Sequence, residues 1–324
     1  MKRVHFNRTE LEVSPICLGT VNYGSDLADA IAMRQMSQFV DLGGNFIDTA
    51  RIYGVWAGRG PALSERIVGK WLKETGERND VVLATKGCHP EWEDQHTMRV
   101  HARDIEHDLE ESLKNLGTDT IDLYFLHRDD VTVPVEEILF CLEKARKAGK
   151  IRYYGCSNWT LKRICEAQHV ADREGLHGFS CNQLMWSLAD IHFDGLADKT
   201  FVLMDKPTYT YHQQTGLNAM AYMSIAKGYF MRRFAGEDLP ASVRNVYDTP
   251  ENEHIFQQMS EYKDDPNVTP LNLSLSYLMF HSFPSIPIAS FDNQQQLEDA
   301  MRCCEHPVDE QVLRKFSALK EFVC

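Results

Sequence analysis

The sequence contains no long hydrophobic run, no cluster of basic residues and no paired cysteine motif. No stretch of about 18 apolar residues occurs, so a membrane-spanning helix is not predicted, and residues Met1 to His5 do not begin a secretory signal. The 34 Lys and Arg face 47 Asp and Glu, and this net charge of −13 argues against a nucleic-acid or anionic-membrane surface. Nine cysteines, scattered singly apart from Cys303-Cys304, are typical of reduced thiols. These absences predict a cytoplasmic protein without metal, nucleic-acid or membrane partners.

The composition is that of a folded enzyme-sized chain. It has 324 residues, of which 43% are hydrophobic, and this length fits one barrel of roughly 250 residues with insertions, or two smaller domains. No linker or low-complexity segment offers a boundary between domains. The sequence therefore predicts a single domain over residues 1–324.

Apolar runs of strand length alternate with amphipathic helical segments after a small hairpin in residues 1–13. The predicted strands are Pro15–Leu18, Asn45–Ile47, Val81–Thr85, Ile121–Leu126, Tyr153–Cys156, Gly178–Asn182, Leu217–Met223 and Ser285–Ala289. The predicted helices are Leu27–Leu42, Leu63–Leu72, Ala102–Leu116, Pro134–Ala148, Leu161–Glu174, Pro207–Thr215, Glu251–Tyr262, Leu271–Phe280 and Gln294–Cys303, with a long polar connection through Arg232, Arg233 and Pro240. Because the strands are almost wholly apolar, both of their faces should be covered. The pattern predicts an α/β fold, a (β/α)8 TIM barrel with extended loops at its C-terminal face.

Titratable residues follow three consecutive predicted strands. Asp48, Lys86 and His127 each stand where an apolar run ends, and Tyr53 follows Asp48 by five positions. Parallel strands bring such residues to the same rim of a barrel, where barrel enzymes carry their chemistry. A buried lysine beside a tyrosine favours the phenolate and is expected to lower the tyrosine pKa towards neutrality. Asp48 would keep Lys86 charged and in place.

Six segments resemble the aldo-keto reductase superfamily, in its bacterial-type branch that includes the potassium-channel beta subunits. They are residues 48–54 (DTARIYG), 84–86 (ATK), 121–128 (IDLYFLHR), 155–158 (GCSN), 182–184 (NQL) and 221–228 (AYMSIAKG). Their order and spacing agree over nearly the whole chain. The resemblance implies hydride transfer between a nicotinamide cofactor and an aldehyde or ketone, with Tyr53 as general acid/base and His127 positioning the carbonyl oxygen.

The resemblance also implies a set of cofactor contacts. Ser157, Asn158 and Gln183 would hydrogen-bond the nicotinamide carboxamide, and Trp186 would stack on the ring. The other expected contacts are Gly19, Thr20, Asp48, Met223, Ser224, Ala226 and Lys227, with Ser224 standing where relatives usually have proline.

The residues expected at the adenosine end of the cofactor depart from the family pattern. Ser290, Asp292 and Gln296 occupy positions that often carry Lys or Arg against the 2′-phosphate of NADP, and none of them is a cation. A carboxylate repels a phosphate and accepts a hydrogen bond from a ribose 2′-hydroxyl. The expected cofactor is therefore NAD or NADP, with NAD favoured.

Two other functions are considered beside the enzyme. A cofactor-binding regulatory barrel, slow in catalysis, is the alternative, although a pure binding module has no need of Lys86 and Asp48 in addition to Tyr53. A metal-dependent barrel hydrolase would need more His and carboxylate ligands at strand ends.

The substrate itself is not specified by a motif. The loops at 55–62, 89–98 and 230–250 mix aromatic and charged residues, which suggests a small carbonyl or alcohol compound, and a sugar-like compound is the candidate. Trp56, Trp92 and Trp159 either wall its pocket or pack the loops onto the barrel. Arg128 and Asp130 are expected to form a structural ion pair at the rim, with contact to the substrate as the alternative. Oligomeric state and reaction direction are left open by the sequence.

Overall fold

A computed structural model describes residues 1–320. Two short antiparallel strands, β1 and β2, precede eight parallel strands that close into a barrel. The strands are β1 (Val4–His5), β2 (Glu12–Val13), β3 (Cys17–Gly19), β4 (Phe46–Asp48), β5 (Val82–Gly87), β6 (Ile121–Leu126), β7 (Ile151–Ser157), β8 (Cys181–Met185), β9 (Asn218–Tyr222) and β10 (Ser285–Ala289). The predicted (β/α)8 barrel with its hairpin is confirmed.

Helices cover the outside of the barrel. They are α1 (Asp29–Asp41), α2 (Leu63–Thr75), α3 (Ala102–Leu116), α4 (Val135–Lys147), α5 (Leu161–Glu174), α6 (Lys206–Thr215), α7 (Tyr229–Ala235), α8 (Ala241–Tyr247), α9 (Pro250–Ser260), α10 (Pro270–Met279), α11 (Gln294–Glu305) and α12 (Glu310–Ser317). Side-chain caps begin several of them: Thr160, Thr249 and Thr269 each accept a hydrogen bond from the backbone N–H three residues on. No helix within residues 1–320 combines the length and apolar character needed to cross a membrane.

The barrel closes where its last strand pairs with its first. Ile288 of β10 lies opposite Cys17 of β3, and the order runs β10-β3-β4-β5-β6-β7-β8-β9. Alternate strand residues point inwards, and an apolar cluster fills the interior. Its barrel members are Cys17, Phe46, Val82, Ala84, Leu123, Phe125, Cys181, Met220, Ile286 and Ile288.

The hairpin plugs the amino-terminal end of the barrel. Phe6, Leu11 and Val13 are at most 1% exposed and belong to the interior cluster. The ring of Phe6 meets Phe46 edge to face, with centroids 5.7 Å apart. Asn7 and Asn218 exchange backbone-to-side-chain hydrogen bonds of 2.9 and 3.0 Å. The hairpin therefore closes the core at the amino-terminal end of the barrel.

The second half of the chain differs from the sequence prediction. The expected polar connection contains α7 and α8, and α12 was not predicted. The short helices α7 and α8 each bury only two or three side chains, so their apolar periodicity is weak. The strand predicted at Gly178–Asn182 lies instead at Cys181–Met185. Its residues 178–180 belong to the approach to the barrel.

Candidate active site

Strand alternation brings one residue from each barrel strand to the carboxyl-terminal rim. Seven of the eight stand two positions beyond a residue of the interior cluster, and Ser157 stands two beyond Gly155, so all of them face the axis above the apolar interior. This rim set comprises Gly19, Asp48, Lys86, His127, Ser157, Gln183, Tyr222 and Ser290. The predicted residues Asp48, Lys86 and His127 are thus brought together, and Tyr53 joins them from the loop after β4.

Lys86 and Asp48 form a buried ion pair. Lys86 Nζ lies 2.6 Å from Asp48 Oδ2 and donates a second hydrogen bond of 2.7 Å to the Thr49 carbonyl. Gln183 Nε2 donates to the other carboxylate oxygen of Asp48 over 2.9 Å. Burial lowers the pKa of Lys86, but Asp48 and Tyr53 together raise it above its usual value. The lysine is therefore charged, and the carboxylate fixes its position.

Tyr53 contacts this lysine. Lys86 Nζ lies 4.7 Å from the centre of the Tyr53 ring. Loss of solvation raises the pKa of Tyr53, and Lys86 opposes this effect without reversing it. The expected net lowering towards neutrality is wrong for this structure because desolvation, assisted by the Asp48 charge, outweighs the lysine. Tyr53 is a neutral phenol, which is the form that donates a proton.

His127 is a neutral imidazole between two other rings. Its centroid lies 5.8 Å from that of Tyr53 and 4.8 Å from that of His89. Burial lowers the pKa of His127 well below its usual value, and the nearby His89, Arg128 and Lys86 lower it further. Its Nδ1 is buried without a hydrogen-bond partner among the described residues. Since an unpaired acceptor is tolerated better than an unpaired donor, we assign the proton to Nε2.

Tyr222 is a rim residue that the sequence prediction missed. Its hydroxyl donates to Asn158 Oδ1 over 2.6 Å, and its ring is partly exposed. Strand alternation was the available signal, because Tyr222 stands two positions after the inward-facing Met220. Asn158 also uses its amide group to contact Ser157 and the His127 carbonyl, and Val202 N–H donates to its Oδ1. A contact between Asn158 and a cofactor would replace one of these bonds.

Trp186 does not occupy the predicted stacking position. It is 2% exposed. Its indole ring packs in the outer core against Tyr209, Tyr277, His281 and Phe283. The expectation fails because Trp186 stands three positions after the rim residue Gln183, so alternation directs its side chain outwards, towards the helices. Of the two rings, only Tyr222 offers an accessible face at the rim.

The loop after β9 has a strained backbone. Met223, Ala226 and Lys227 have positive φ angles of 55°, 50° and 51°, and Gly228 follows with 78°. Ser224 anchors the loop by donating to the Ile288 carbonyl over 2.6 Å. Non-glycine residues in this region cost on the order of 1 kcal/mol each and are concentrated at ligand clamps. Within the loop, the N–H groups of Ala226 and Gly228 already donate to the carbonyls of Met223 and Ile225, over 2.8 Å each.

The remaining predicted cofactor residues line the seam between β3 and β10. A Cβ on Gly19 would lie 2.9 Å from both Ile288 Cγ2 and Ser290 Oγ, so only glycine fits there. Thr20 is fully buried, and its hydroxyl contacts the Asp48 carbonyl and Ser64.

Asp292 and Gln296 lie on the surface at the start of α11. The Asp292 carboxylate is exposed, and its backbone N–H is bound by Gln296 Oε1 over 2.8 Å.

Arg128 does not pair with Asp130 as expected. Its guanidinium binds Asp198 over 2.9 Å and Thr200 over 2.9 Å, and it lies 5.4 Å from the Phe201 ring centre. Asp130 instead caps its own turn by accepting from Thr132. Arg128 therefore ties the loop after β8 to the rim beside His127.

A second ionic network joins the loops after β4 and β5 to α3. Arg51 binds Glu111 over 2.6 Å and Glu91 over 3.1 Å, while Arg99 binds Glu91 and Asp108. Asp108 and Glu111, together with His107, are spaced closely enough to hold a metal ion. Because guanidinium groups already balance both carboxylates, we interpret this cluster as structural.

Comparison with known proteins identifies the family. Residues 15–321 match the model described as the aldo/keto reductase family. The chain belongs to the aldo/keto reductase family. Its members are oxidoreductases that use a nicotinamide cofactor and act on small carbonyl compounds. The resemblance inferred from the catalytic segments is confirmed.

Individual relatives in the aldo/keto reductase family agree over most of the chain. The uncharacterized oxidoreductase YrpG of Bacillus subtilis (strain 168) is 30% identical over 320 residues, which cover 97% of this chain and 94% of YrpG. Norsolorinic acid reductase stcV of Emericella nidulans is 27% identical, over 89% of this chain and 73% of its own. The solved structure of aldo-keto reductase AKR11C1 from Bacillus halodurans, in its holo form, has a TM-score of 0.73 at 22% identity, covering 99% and 97% of the two chains. That structure supports the fold.

Proposed function

We propose that this protein interconverts an aldehyde or ketone and its alcohol by hydride transfer with NAD or NADP, using Tyr53 as the proton donor and acceptor. The observation that carries this proposal is the chain from Asp48 through Lys86 to the neutral phenol of Tyr53, with the neutral His127 ring beside it. The name of the Emericella relative, a reductase, is consistent with carbonyl reduction. No contact among residues 1–320 favours the regulatory alternative over the enzyme.

The residues around the rim fit a nicotinamide dinucleotide. The strained loop from Met223 to Gly228 would lie against its pyrophosphate, and the ring of the half-buried Tyr222 would receive the nicotinamide. Ser157 and Gln183 lie on the same rim and would hold the carboxamide. When bound, the cofactor supplies or accepts the hydride.

The side chains of the site would transfer the proton and stabilise the carbonyl oxygen of the substrate. In reduction, the Tyr53 phenol would donate its proton to the carbonyl oxygen as negative charge develops there. Lys86 then stabilises the phenolate that remains, and Asp48 holds Lys86 in position. His127 Nε2–H would donate a hydrogen bond to the same oxygen. General acid catalysis of this kind contributes roughly 10²–10⁴ in rate, and fixed donors at the oxyanion add to it.

We further propose NAD as the preferred cofactor. Asp292 presents an exposed carboxylate where a 2′-phosphate would need a cation. Neither Ser290, which donates to the Gly19 carbonyl, nor Gln296 supplies a positive charge. An exposed lysine, Lys227, belongs to the neighbouring loop and is the competing candidate for a phosphate contact.

Calorimetric titration of the cofactor-free protein with NADH and NADPH tests this function. We expect NADH to bind more tightly, and Asp292→Arg to shift the preference towards NADPH. Glu305→Arg, which makes the same charge change at the far end of α11, should leave the preference unaltered. Tighter binding of NADPH to the unmodified protein would refute the NAD preference. Binding of neither would refute the oxidoreductase proposal itself.

A further inference from the structure

Two tryptophans, from the loops that follow β4 and β5, form an exposed pair. Trp56 follows Tyr53 by three residues, and Trp92 follows His89, whose ring contacts His127, by three residues. The two indole centroids lie 5.8 Å apart at an interplanar angle of 46°. Trp56 is 39% exposed and Trp92 is 49% exposed. Because indole surface is normally buried, an exposed pair beside a catalytic rim indicates a binding surface.

The charged groups of these two loops are largely committed to one another. Arg51 and Arg99 share Glu91, and both also bind carboxylates of α3. Arg59 binds Asp29 over 2.8 Å. Asp94 is occupied by hydrogen bonds from Thr97 and the backbone of His96. These contacts leave aromatic surface with few free polar partners, so a flat, weakly polar ring fits better than the hydroxylated substrate suggested by the sequence.

Aromatic side chains also border the opposite side of the mouth. In the closed barrel, β4 and β5 lie across from β8 and β9. Phe201, in the loop after β8, lies 5.7 Å from Tyr222 at the end of β9. Strands on opposite sides of the barrel thus both lead into loops that carry aromatic rings, an arrangement that suits a planar group.

We propose that Trp56 and Trp92 form the outer wall of the substrate site and bind the ring of an aromatic aldehyde or ketone. This inference rests on the proposed function for its carbonyl, and it adds the class of substrate. The ring would lie against the indoles, while the carbonyl reaches Tyr53 and His127. Rings offset or edge-on to indole gain additional attraction beyond burial.

Matched substrates test the role of the pair. We would compare 2-naphthaldehyde with propanal in the protein and in Trp56→Ala, Trp92→Ala and Trp56→Phe. Each alanine variant should lower kcat/KM for 2-naphthaldehyde about tenfold, mainly by raising KM, and change it for propanal less than about twofold. Trp56→Phe should restore most of the loss. An equal loss on both substrates, or no loss on 2-naphthaldehyde, would overturn the proposal.

A binding measurement separates this inference from the reaction. Calorimetric titration with 2-naphthol, which has no carbonyl, would be performed on the full chain with and without saturating NADH. We expect binding that weakens about tenfold in either alanine variant and is unchanged in Phe140→Ala, which removes an exposed aromatic on α4. Such binding without any turnover would leave the aromatic site standing and refute the reaction. Absence of binding and of substrate discrimination would refute the aromatic site.

Discussion

The two ends of the barrel differ in how far their buried polar groups are paired. At the amino-terminal end, Asp122 lies between Arg78 and Arg152 at 2.9 Å from each, and it also accepts from the Leu83 backbone N–H. At the carboxyl-terminal end, His127 Nδ1 is buried without a partner within residues 1–320, and Lys227 holds a left-handed backbone. In these contacts the amino-terminal end is satisfied, whereas the carboxyl-terminal end combines an unpaired ring nitrogen with a strained loop.

This difference separates stability from chemistry along the barrel axis. The satisfied end closes the core through the hairpin, while the strained end keeps donors and acceptors available for ligands. Substitutions at the two ends should therefore have separable effects. Those at the lower end should change the free energy of unfolding, and those at the upper end should change turnover.

The largest effect on turnover is expected from Tyr53→Phe, at the carboxyl-terminal end of the barrel. Removing the phenol oxygen removes the proton donor, so kcat should fall by roughly 10²–10⁴. The melting temperature should change little, because the ring and its contact with His127 remain. Steady-state kinetics and thermal unfolding measure the two quantities. Tyr262→Phe, which removes a phenol bound by Lys315, is the matched control. Near-native turnover of Tyr53→Phe would exclude Tyr53 from the reaction.

At the amino-terminal end, Phe6→Ala should have the opposite effect: it should lower stability and leave turnover unchanged. Phe6 is fully buried in the plug, and its truncation leaves a cavity that costs about 3–5 kcal/mol of unfolding free energy. The kcat of the protein that remains folded should be unchanged. Urea unfolding and active-site-normalised kinetics test this separation, with the exposed Phe140→Ala as the control. A loss of kcat as large as the loss of stability would show that the two ends are coupled.

The smallest effect concerns pH and a histidine of the satisfied end. His212 donates from Nδ1 to the Leu217 carbonyl over 2.7 Å, and its Nε2 accepts from Asn182. Burial lowers its pKa to about 4, whereas an unfolded histidine has a pKa of about 6.5. Between these values the unfolded state binds more protons, so the free energy of unfolding should fall as pH is lowered from about 6.5 to 4.

Replacing that histidine should flatten the pH dependence. His212→Asn is expected to unfold with a shallower slope below pH 6.5 in urea titrations, while His254→Asn, at an exposed position, retains the original slope. The remaining slope belongs to other buried imidazoles such as His281, whose pKa is lowered to about 3 by burial. Identical slopes in all three proteins would show that His212 makes no contribution.

Local sequence was sufficient for the barrel and for three of its eight rim residues. Asp48, Lys86 and His127 each end an apolar run, so their positions follow from strand length alone. Tyr222 needed the additional step of inward and outward alternation. Trp186 was misplaced because motif spacing alone does not report whether a side chain faces the barrel axis or the outer helices.

Other features depend on contacts between distant residues. Arg128 pairs with Asp198, 70 positions away, rather than with its neighbour Asp130. The pKa of Tyr53 depends on how much solvent the folded loops remove, which no local motif encodes. The committed charges around Trp92 likewise appear only when α3 packs against the loop. These contacts form only in the folded structure, so the sequence did not predict them.

The bonds of the hairpin plug impose an order on assembly. Asn7 is bound to Asn218, and the Glu10 backbone N–H is bound to the Tyr153 hydroxyl. These partners follow the hairpin by 211 and 143 positions. During synthesis the hairpin leaves the ribosome long before the strands that bind it. Its apolar side chains can therefore be buried only after those later strands have been made. The earliest part of the barrel to be made is therefore among the last to be secured.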